Sequence, residues 1–187
     1  MNSPLLEIKQ ISVSFDGFLA LNDLNLVMNE GDLRAVIGPN GAGKTTFLDV
    51  ITGKVVPTKG DVIFKDKSLI GQKEYRIARK GIGRKFQSPR IFKNLSVQEN
   101  LALSVSRPKT PFSLLINHLK VKQLDEIQHL MSIVNLQSKS NIKAGALSHG
   151  QKQWLEIAML VGQNPDLLLV DEPVAGLTDE ETDLTAD

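Results

Sequence analysis

Apolar and polar residues alternate along the first third of the chain in the manner of half-buried strands. The predicted strands cover residues 6–15, 24–28 and 60–64. The first strand ends in Asp16-Gly17, a dipeptide typical of a hairpin turn, so the first two strands are expected to pair. The pattern predicts a small antiparallel β layer, followed by a short helix over 74–80 and a strand over 82–86.

The middle of the chain changes to helical spacing. Ser96 and Glu99 have the spacing of a capping box, which predicts a helix that runs through Val105. A second predicted helix has an apolar face made of Val121, Leu124, Ile127, Met131 and Val134. We expect residues 95–136 to form a mainly helical subdomain, which the next predicted helix extends to about residue 162.

A second capping box lies further along the chain. Ser148 and Gln151 predict the start of a helix over 151–161, and Gly162 is expected to end it. Residues 167–170, Leu-Leu-Leu-Val, are wholly apolar and bounded by turns, which is typical of a parallel strand buried on both faces.

A glycine-rich segment joins another apolar run to a helical pattern. Residues 33–37, Leu-Arg-Ala-Val-Ile, predict a strand, and residues 46–51 predict a helix. Strand, glycine-rich turn and helix, in that order, predict a phosphate-binding P-loop. Its residues are Gly38, Pro39, Asn40, Gly41, Ala42, Gly43, Lys44, Thr45 and Thr46.

The residue types of this loop suit a nucleotide bound with Mg²⁺. Glycines let backbone N–H groups surround an anion, and the following helix directs its positive end toward the same anion. Lys44 is expected to place its ammonium on the β- and γ-phosphates, and the hydroxyl of Thr45 is expected to bind Mg²⁺.

Two adjacent carboxylates, Asp171 and Glu172, follow the apolar residues 167–170. In a P-loop protein the first carboxylate holds Mg²⁺ and the second polarises a water for attack on the γ-phosphate. We therefore predict Asp171 as a metal ligand and Glu172 as the catalytic base. The structural alternative is an acidic turn after a core strand.

Composition limits the possible partners. The chain has 187 residues, a formal net charge of +1 and no cysteine. This length suits one domain, or one domain with a subdomain. A net charge near zero provides no positive electrostatic field that would attract nucleic acid. The lack of cysteine excludes disulfides, thiolate metal sites and cysteine nucleophiles. With no signal peptide and no apolar run of about 18 residues, any membrane association is expected to require a partner.

Seven basic residues cluster in one part of the sequence: Arg76, Arg79, Lys80, Arg84, Lys85, Arg90 and Lys93. A solvated face is the simpler interpretation, and a surface that docks a membrane subunit is the alternative. His118 and His129 have no partner residues at metal-binding spacing, and we expect both to lie at the surface.

The segment 147–151, Leu-Ser-His-Gly-Gln, resembles the signature motif of the ABC (ATP-binding cassette) ATPases, usually Leu-Ser-Gly-Gly-Gln. With the P-loop, Gln87 and the segment 167–173, the resemblance covers essentially the whole chain. It implies an α/β P-loop NTPase fold with a parallel core sheet, an N-terminal antiparallel β layer and an inserted helical subdomain. These parts are expected to form a single domain, residues 1–187. The resemblance also implies an ATPase with ATP and Mg²⁺ as cofactors.

The resemblance assigns further roles residue by residue. Phe15 matches an aromatic residue that stacks on adenine, although a place in the hairpin core is an equally good interpretation. Gln87 matches a glutamine that contacts Mg²⁺ and the attacking water, and residues 175–178 match the loop that follows the catalytic glutamate. Ser148, Gly150 and Gln151 match residues that bind the ATP of the opposite subunit.

These roles imply partners. Family members form a head-to-tail dimer of two ATPase subunits with two ATP molecules between them. As transport subunits they bind transmembrane permease subunits at the cytoplasmic face of the inner membrane. We therefore expect a second ABC ATPase subunit and permease subunits as partners, with no nucleic acid.

Two departures point to one branch of the family. His149 stands where the first signature glycine is usual, and Thr178 stands where many members have aspartate. Both resemble the branched-chain-amino-acid and urea importers, and several other segments look most like the urea-importer ATPase subunit. The expected solute is therefore urea, with branched-chain amino acids as the alternative.

Family members also carry a histidine on a strand that follows residues 175–178, and this chain has no histidine after His149. By resemblance, a core strand between the 33–37 and 167–170 strands is absent, and a further strand beyond it is absent too. We therefore expect a truncated form of a longer subunit, poorly stable alone and weak or inactive in ATP hydrolysis. The non-catalytic alternative is a module that binds ATP without turnover.

Overall fold

The computed structural model describes residues 3–85, 89–106 and 121–171. By its internal contacts, the chain divides after Ile82 into two compact units.

The first unit is built on an antiparallel sheet with the strand order β2-β1-β3-β4. The strands are β1 (Leu6–Phe15), β2 (Phe18–Met28), β3 (Lys59–Phe64) and β4 (Lys67–Ser68). The predicted β layer is thus present, and β2 begins six residues before the predicted strand at Leu24. The short β4 has no counterpart among the predictions, because two residues are too few to show an alternating pattern.

The hairpin of β1 and β2 turns at the predicted dipeptide. Asp16 and Gly17 both have positive φ, 47° and 88°, as a tight hairpin turn requires. The buried side chains of β1 are Leu6, Ile8, Ile11 and Val13, and an irregularity in the pairing between Ile8 and Ile11 shifts the alternation by one residue. Since successive side chains of a strand point to opposite faces, one face of β1 supplies the core of this unit.

Two helices complete the first unit, α1 (Lys44–Ile51) and α2 (Glu74–Ala78). The helix α1 begins directly after the glycine-rich loop, and its Phe47, Val50 and Ile51 are buried. Strand, loop and helix were predicted in that order, and the loop and helix are where the sequence placed them.

The predicted strand at residues 33–37 is absent from the structure, which is a correction to the sequence analysis. These residues form no regular element, and Leu33 and Ile37 are 95% and 92% exposed. A strand is defined by hydrogen bonds to a neighbour, and no strand among the described residues pairs with this segment. An apolar run alone therefore did not suffice to form a strand here.

The second unit contains α3 (Val97–Val105), α4 (Val121–Ile133) and α5 (His149–Gly162), which share one hydrophobic core. Between α4 and α5 lie two single-turn 3₁₀ helices, Gln137–Lys139 and Ala144–Ala146. The residues of the core include Leu101, Ile127, Met131, Leu136 and Leu155.

Both predicted capping boxes are formed. At α3 the Glu99 N–H donates to the Ser96 hydroxyl, and the Ser96 N–H donates to the Glu99 carboxylate at 2.7 Å. The same reciprocal pair joins Ser148 and Gln151 at α5. The helix α5 starts two residues before the predicted position, because the box makes Ser148 the N-cap.

The strands β5 (Ile82–Lys85) and β6 (Leu167–Val170) pair in a two-stranded sheet. The prediction that β6 is buried on both faces is wrong for the described structure. Its side chains alternate between buried and exposed, with Leu168 at 37% and Val170 at 39% exposure. One face lacks cover among the described residues, so an all-apolar strand here has one partly exposed side.

Candidate functional site

The glycine-rich loop presents the start of α1 without a side-chain cap. Gly43 is the N-cap, in the left-handed conformation with φ 85°, and among the described residues no side chain caps the first turn. The first amides of a helix have no partner within the helix, and with the helix dipole they form an anion site. The loop geometry therefore fits a phosphate at this position.

Lys44 lies over the same loop. Its ammonium donates to the carbonyl oxygens of Gly38 at 2.6 Å and Pro39 at 2.9 Å. The positive charge is therefore held beside the uncapped start of α1, and a bound anion would find both groups together. Thr45, the next residue, is exposed.

Gly43 is required by packing as well as by its conformation. A Cβ atom at this position would lie 2.6 Å from the carbonyl oxygen of Ala20 and 2.9 Å from Cδ2 of Leu21. Both neighbours belong to β2, so the loop is seated directly against the sheet of its own unit. A cavity of about 170 Å³ adjoins this contact and is lined partly by Leu21, Gly43 and Lys44.

Phe15 lies at the end of the hairpin and is 47% exposed. Its partner across the turn, Phe18, is 65% exposed. A place for Phe15 in the hairpin core is therefore not supported. The ring is open to a ligand, and its stacking on adenine stays a prediction.

The signature segment forms the start of α5. Ser148 and Gln151 bond to each other across the first turn, and Gly150 is buried. His149 is exposed, and its Nε2 lies 3.1 Å from the amide nitrogen of Gln153. This contact joins the first turn of α5 to its second turn.

Asp171 follows β6 and is paired with Arg84 of β5. The distance from Arg84 Nη2 to Asp171 Oδ2 is 3.6 Å, and both side chains are almost wholly buried. The predicted basic cluster is thus not one solvated face, because Arg84 and Lys85 lie in the interior while Arg76 and Arg79 are exposed.

This ion pair was missed in the sequence, although a signal existed. Arg84 stands two residues after Ile82 in a strand, so both residues lie on the same face, and Ile82 is buried. The period of two therefore indicated burial, and burial of an arginine calls for a carboxylate partner.

Several predicted residues lie outside the described residues. They are Gln87, Glu172, the segment 175–178 and His118. His129 is exposed, as predicted. Within the described ranges no group of three or more histidine, cysteine, aspartate or glutamate residues could hold a metal. None of the helices in these ranges combines the length and the apolar character that a membrane span needs.

The donor chemistry of the predicted metal ligands fits Mg²⁺. Thr45 offers a hydroxyl oxygen and Asp171 a carboxylate, and Mg²⁺ prefers such hard oxygen ligands; that the two residues bind one ion stays a prediction. An ion held by few protein groups is normal for Mg²⁺, which is commonly bound through one or two protein oxygens and the phosphates of its nucleotide.

Comparison with known proteins identifies the family. A family model described as ABC transporter matches residues 21–175, well over half of the chain. The chain is similar to the high-affinity branched-chain amino acid transport ATP-binding protein BraF of Pseudomonas aeruginosa, with 37% identity over 98% of this chain and 74% of that protein. It is 36% identical to LivG of Escherichia coli K12, over 97% of this chain and 74% of LivG.

Solved structures agree. An ATP-binding cassette of an ABC transporter in its ADP conformation superposes with a TM-score of 0.78 and 30% identity, over 98% of this chain and 74% of that one. A nucleotide-free ATP-binding cassette gives a TM-score of 0.75, also at 30% identity, over 97% of this chain and 74% of that one. The predicted α/β P-loop fold is thereby confirmed. The chain belongs to the ABC transporter family, as an ATP-binding subunit of the ATPase type.

Proposed function

We propose that this chain is the ATP-binding and ATP-hydrolysing subunit of an importer for branched-chain amino acids. The observation that carries the proposal is the position of Lys44, whose ammonium lies on the loop carbonyls beside the uncapped start of α1. The similarity to BraF and LivG supports the solute class, because both are named for branched-chain amino acid transport. The expectation of urea has no such support, so the alternative becomes the main proposal.

The loop and its neighbours would bind ATP through their own groups. The amides of residues 38–46 surround the phosphates, Lys44 neutralises charge on the β- and γ-phosphates, and Phe15 stacks on adenine. The exposed ring of Phe15 and the uncapped helix start support these roles.

Thr45, Gln87 and Asp171 would hold Mg²⁺, which when bound offsets the charge that develops on the phosphates. Glu172 orients and polarises the attacking water, so it acts as the general base. Gln87 contacts the same water. The position of Asp171 supports its role, because its carboxylate supplies oxygen donors directly after β6.

Ser148, Gly150 and Gln151 would bind the ATP held by a second ABC ATPase subunit. The capping box supports this proposal, because it fixes the start of α5 as a rigid helix N-terminus. Permease subunits would dock this dimer to the cytoplasmic face of the cell membrane. We further propose that residues 1–187 form one ATPase domain with the helical subdomain at about 95–162.

One experiment separates an enzyme from a module that binds without turnover. Fluorescent ATP binding and phosphate release are measured on the same 187-residue chain with Mg²⁺. Lys44→Ala is expected to lose binding by tenfold or more, since a charge-assisted contact worth about 1.5–3 kcal/mol is removed. Lys67→Ala, a lysine of β4 outside the loop, is the control and should bind like the parent.

The outcomes are distinct. ATP binding without phosphate release would support the alternative, a module that binds ATP without turnover. Equal binding by the Lys44→Ala variant and the parent would refute the proposed site. The solute is tested separately, by uptake of labelled leucine and labelled urea in cells that lack the gene; loss of urea uptake with normal leucine uptake would overturn the proposed solute.

A further inference from the structure

The buried pair of Arg84 and Asp171 joins two neighbouring strands of the second unit. Arg84 lies in β5, and Asp171 directly follows β6. Their side chains are 7% and 8% exposed, so both charges are largely withdrawn from water. A charge in such a place is costly unless an opposite charge is close, and each residue here supplies that charge to the other.

The geometry of the pair is that of an electrostatic contact. At 3.6 Å, the distance from Nη2 to Oδ2 exceeds that of an ordinary hydrogen bond. Among the described residues, no hydrogen bond to the Asp171 carboxylate accompanies it. The attraction of the carboxylate to Arg84 is therefore not fixed by a bidentate arrangement.

We propose, on the basis of the function proposed above, that Arg84 is a positioning residue that competes with Mg²⁺ for Asp171. Without nucleotide, Arg84 holds the carboxylate at the end of β6. When Asp171 engages the metal of a bound nucleotide, the two cations share one carboxylate and repel each other. Arg84 thus reduces the gain in nucleotide affinity that Mg²⁺ provides. It releases Asp171 only when nucleotide and Mg²⁺ are bound together.

The measured quantity is the ratio of the ATP dissociation constant without Mg²⁺ to that with Mg²⁺, from fluorescent-nucleotide titrations of the full chain. Arg84→Gln keeps a polar side chain and removes the charge, so the ratio is expected to rise at least about fivefold, the lower end of typical coupling between sites. Arg84→Lys keeps the charge and is expected to stay near the parent ratio. Arg79→Gln, an exposed arginine of the same sequence cluster, is the matched control and should leave the ratio unchanged.

The result that overturns the inference is a ratio that is unchanged or lowered in Arg84→Gln while the variant remains folded. Arg84 would then only support the structure or orient the carboxylate. Asp171→Asn reports on the proposed function instead: if this variant keeps the parent ratio, Asp171 is no metal ligand, whatever Arg84 does.

A measurement on the parent chain covers the case in which Arg84→Gln does not fold. In a chain with ¹⁵N-labelled arginine, the Nε signal of Arg84 is identified by its loss in Arg84→Lys. This signal should shift on addition of ATP with Mg²⁺ and stay in place with ATP and a chelator. Equal shifts in both conditions would contradict the competition.

Discussion

Single residues of the phosphate loop are chosen by close contacts as much as by ligand chemistry. Gly43 has φ 85° and lies against backbone and side-chain atoms of β2, whereas Gly31 has φ 83° and, among the described residues, only its chain neighbours lie within 4 Å of the Cβ position. The two glycines share a left-handed conformation and differ in packing. Substitutions at Gly31 therefore test the cost of the left-handed conformation alone, and substitutions at Gly43 test that cost together with the steric clash.

Gly31→Ala is expected to lower the free energy of unfolding by about 1–2 kcal/mol, the usual cost of a left-handed residue with a Cβ. Gly43→Ala should lower it further, because its Cβ would meet the Ala20 carbonyl oxygen at 2.6 Å and the loop would have to move. Urea denaturation of both variants measures the difference. Equal losses would show that the contact with β2 relaxes without cost.

At the scale of elements, the helices of the second unit begin where a side chain satisfies the first amides. Ser96 accepts from the Glu99 N–H at 3.2 Å, and the Glu99 carboxylate accepts from the Ser96 N–H at 2.7 Å. Both bonds satisfy groups that have no partner within the helix. The start of α3 should therefore be sensitive to either residue.

Ser96→Ala is expected to destabilise the chain by about 1 kcal/mol, as loss of an N-cap typically does. The control is Ser132→Ala on the exposed side of α4, where the hydroxyl donates to the His129 carbonyl within its own helix. Thermal or urea unfolding of the two variants is compared. A loss at position 132 as large as that at position 96 would argue against a capping role.

Glu99 links this cap to pH. The Ser96 N–H, and secondly the Ser96 hydroxyl, lower the pKa of the Glu99 carboxyl below its ordinary value. A lowered pKa in the folded state gives stability that is present above the unfolded pKa and is lost as pH falls through the folded pKa. The cap should thus weaken in acid.

We expect the parent to be more stable than Glu99→Gln at neutral pH and to lose this advantage as the pH falls below the ordinary glutamate range. The measurement is the free energy of unfolding of both chains across that range. Glu126→Gln, an exposed glutamate of α4 away from any cap, is the control. A pH-independent difference between the parent and Glu99→Gln would exclude an ionic contribution.

At the scale of the whole molecule, the most unusual surface is the apolar segment 33–37, which leads into the phosphate loop. Leu33, Val36 and Ile37 are exposed at 95%, 52% and 92%, and no described strand pairs with the segment. Exposed apolar chain with unpaired backbone groups is prone to pair with other molecules. Self-association of the 187-residue chain should therefore involve this segment.

Leu33→Lys is expected to reduce self-association of the isolated chain, because it places a charge in the exposed apolar run. Light scattering against protein concentration measures the effect. Val56→Lys, a change at another exposed apolar residue, is the control and should have a smaller effect. Equal effects would point to general repulsion from added charge.

Local features could be predicted from the sequence because short-range chemistry determines them. The hairpin turn at Asp16-Gly17, both capping boxes, and the loop-to-helix step at Lys44 all depend on residues within a few positions of one another. Their residue types nearly specify the backbone, so spacing was sufficient evidence. The family resemblance added the identity of the fold, which the comparisons confirm.

Tertiary structure decided what depends on neighbours distant in sequence. The apolar residues 33–37 carry a strand pattern, yet a strand requires a partner, and burial of β6 requires cover on both faces. Arg84 looked like part of a solvated cluster until the pairing of β5 with β6 placed it beside Asp171. Hydrogen-bond partners, burial and opposite charges are supplied by segments that are distant in sequence. The pattern within one segment therefore does not determine them.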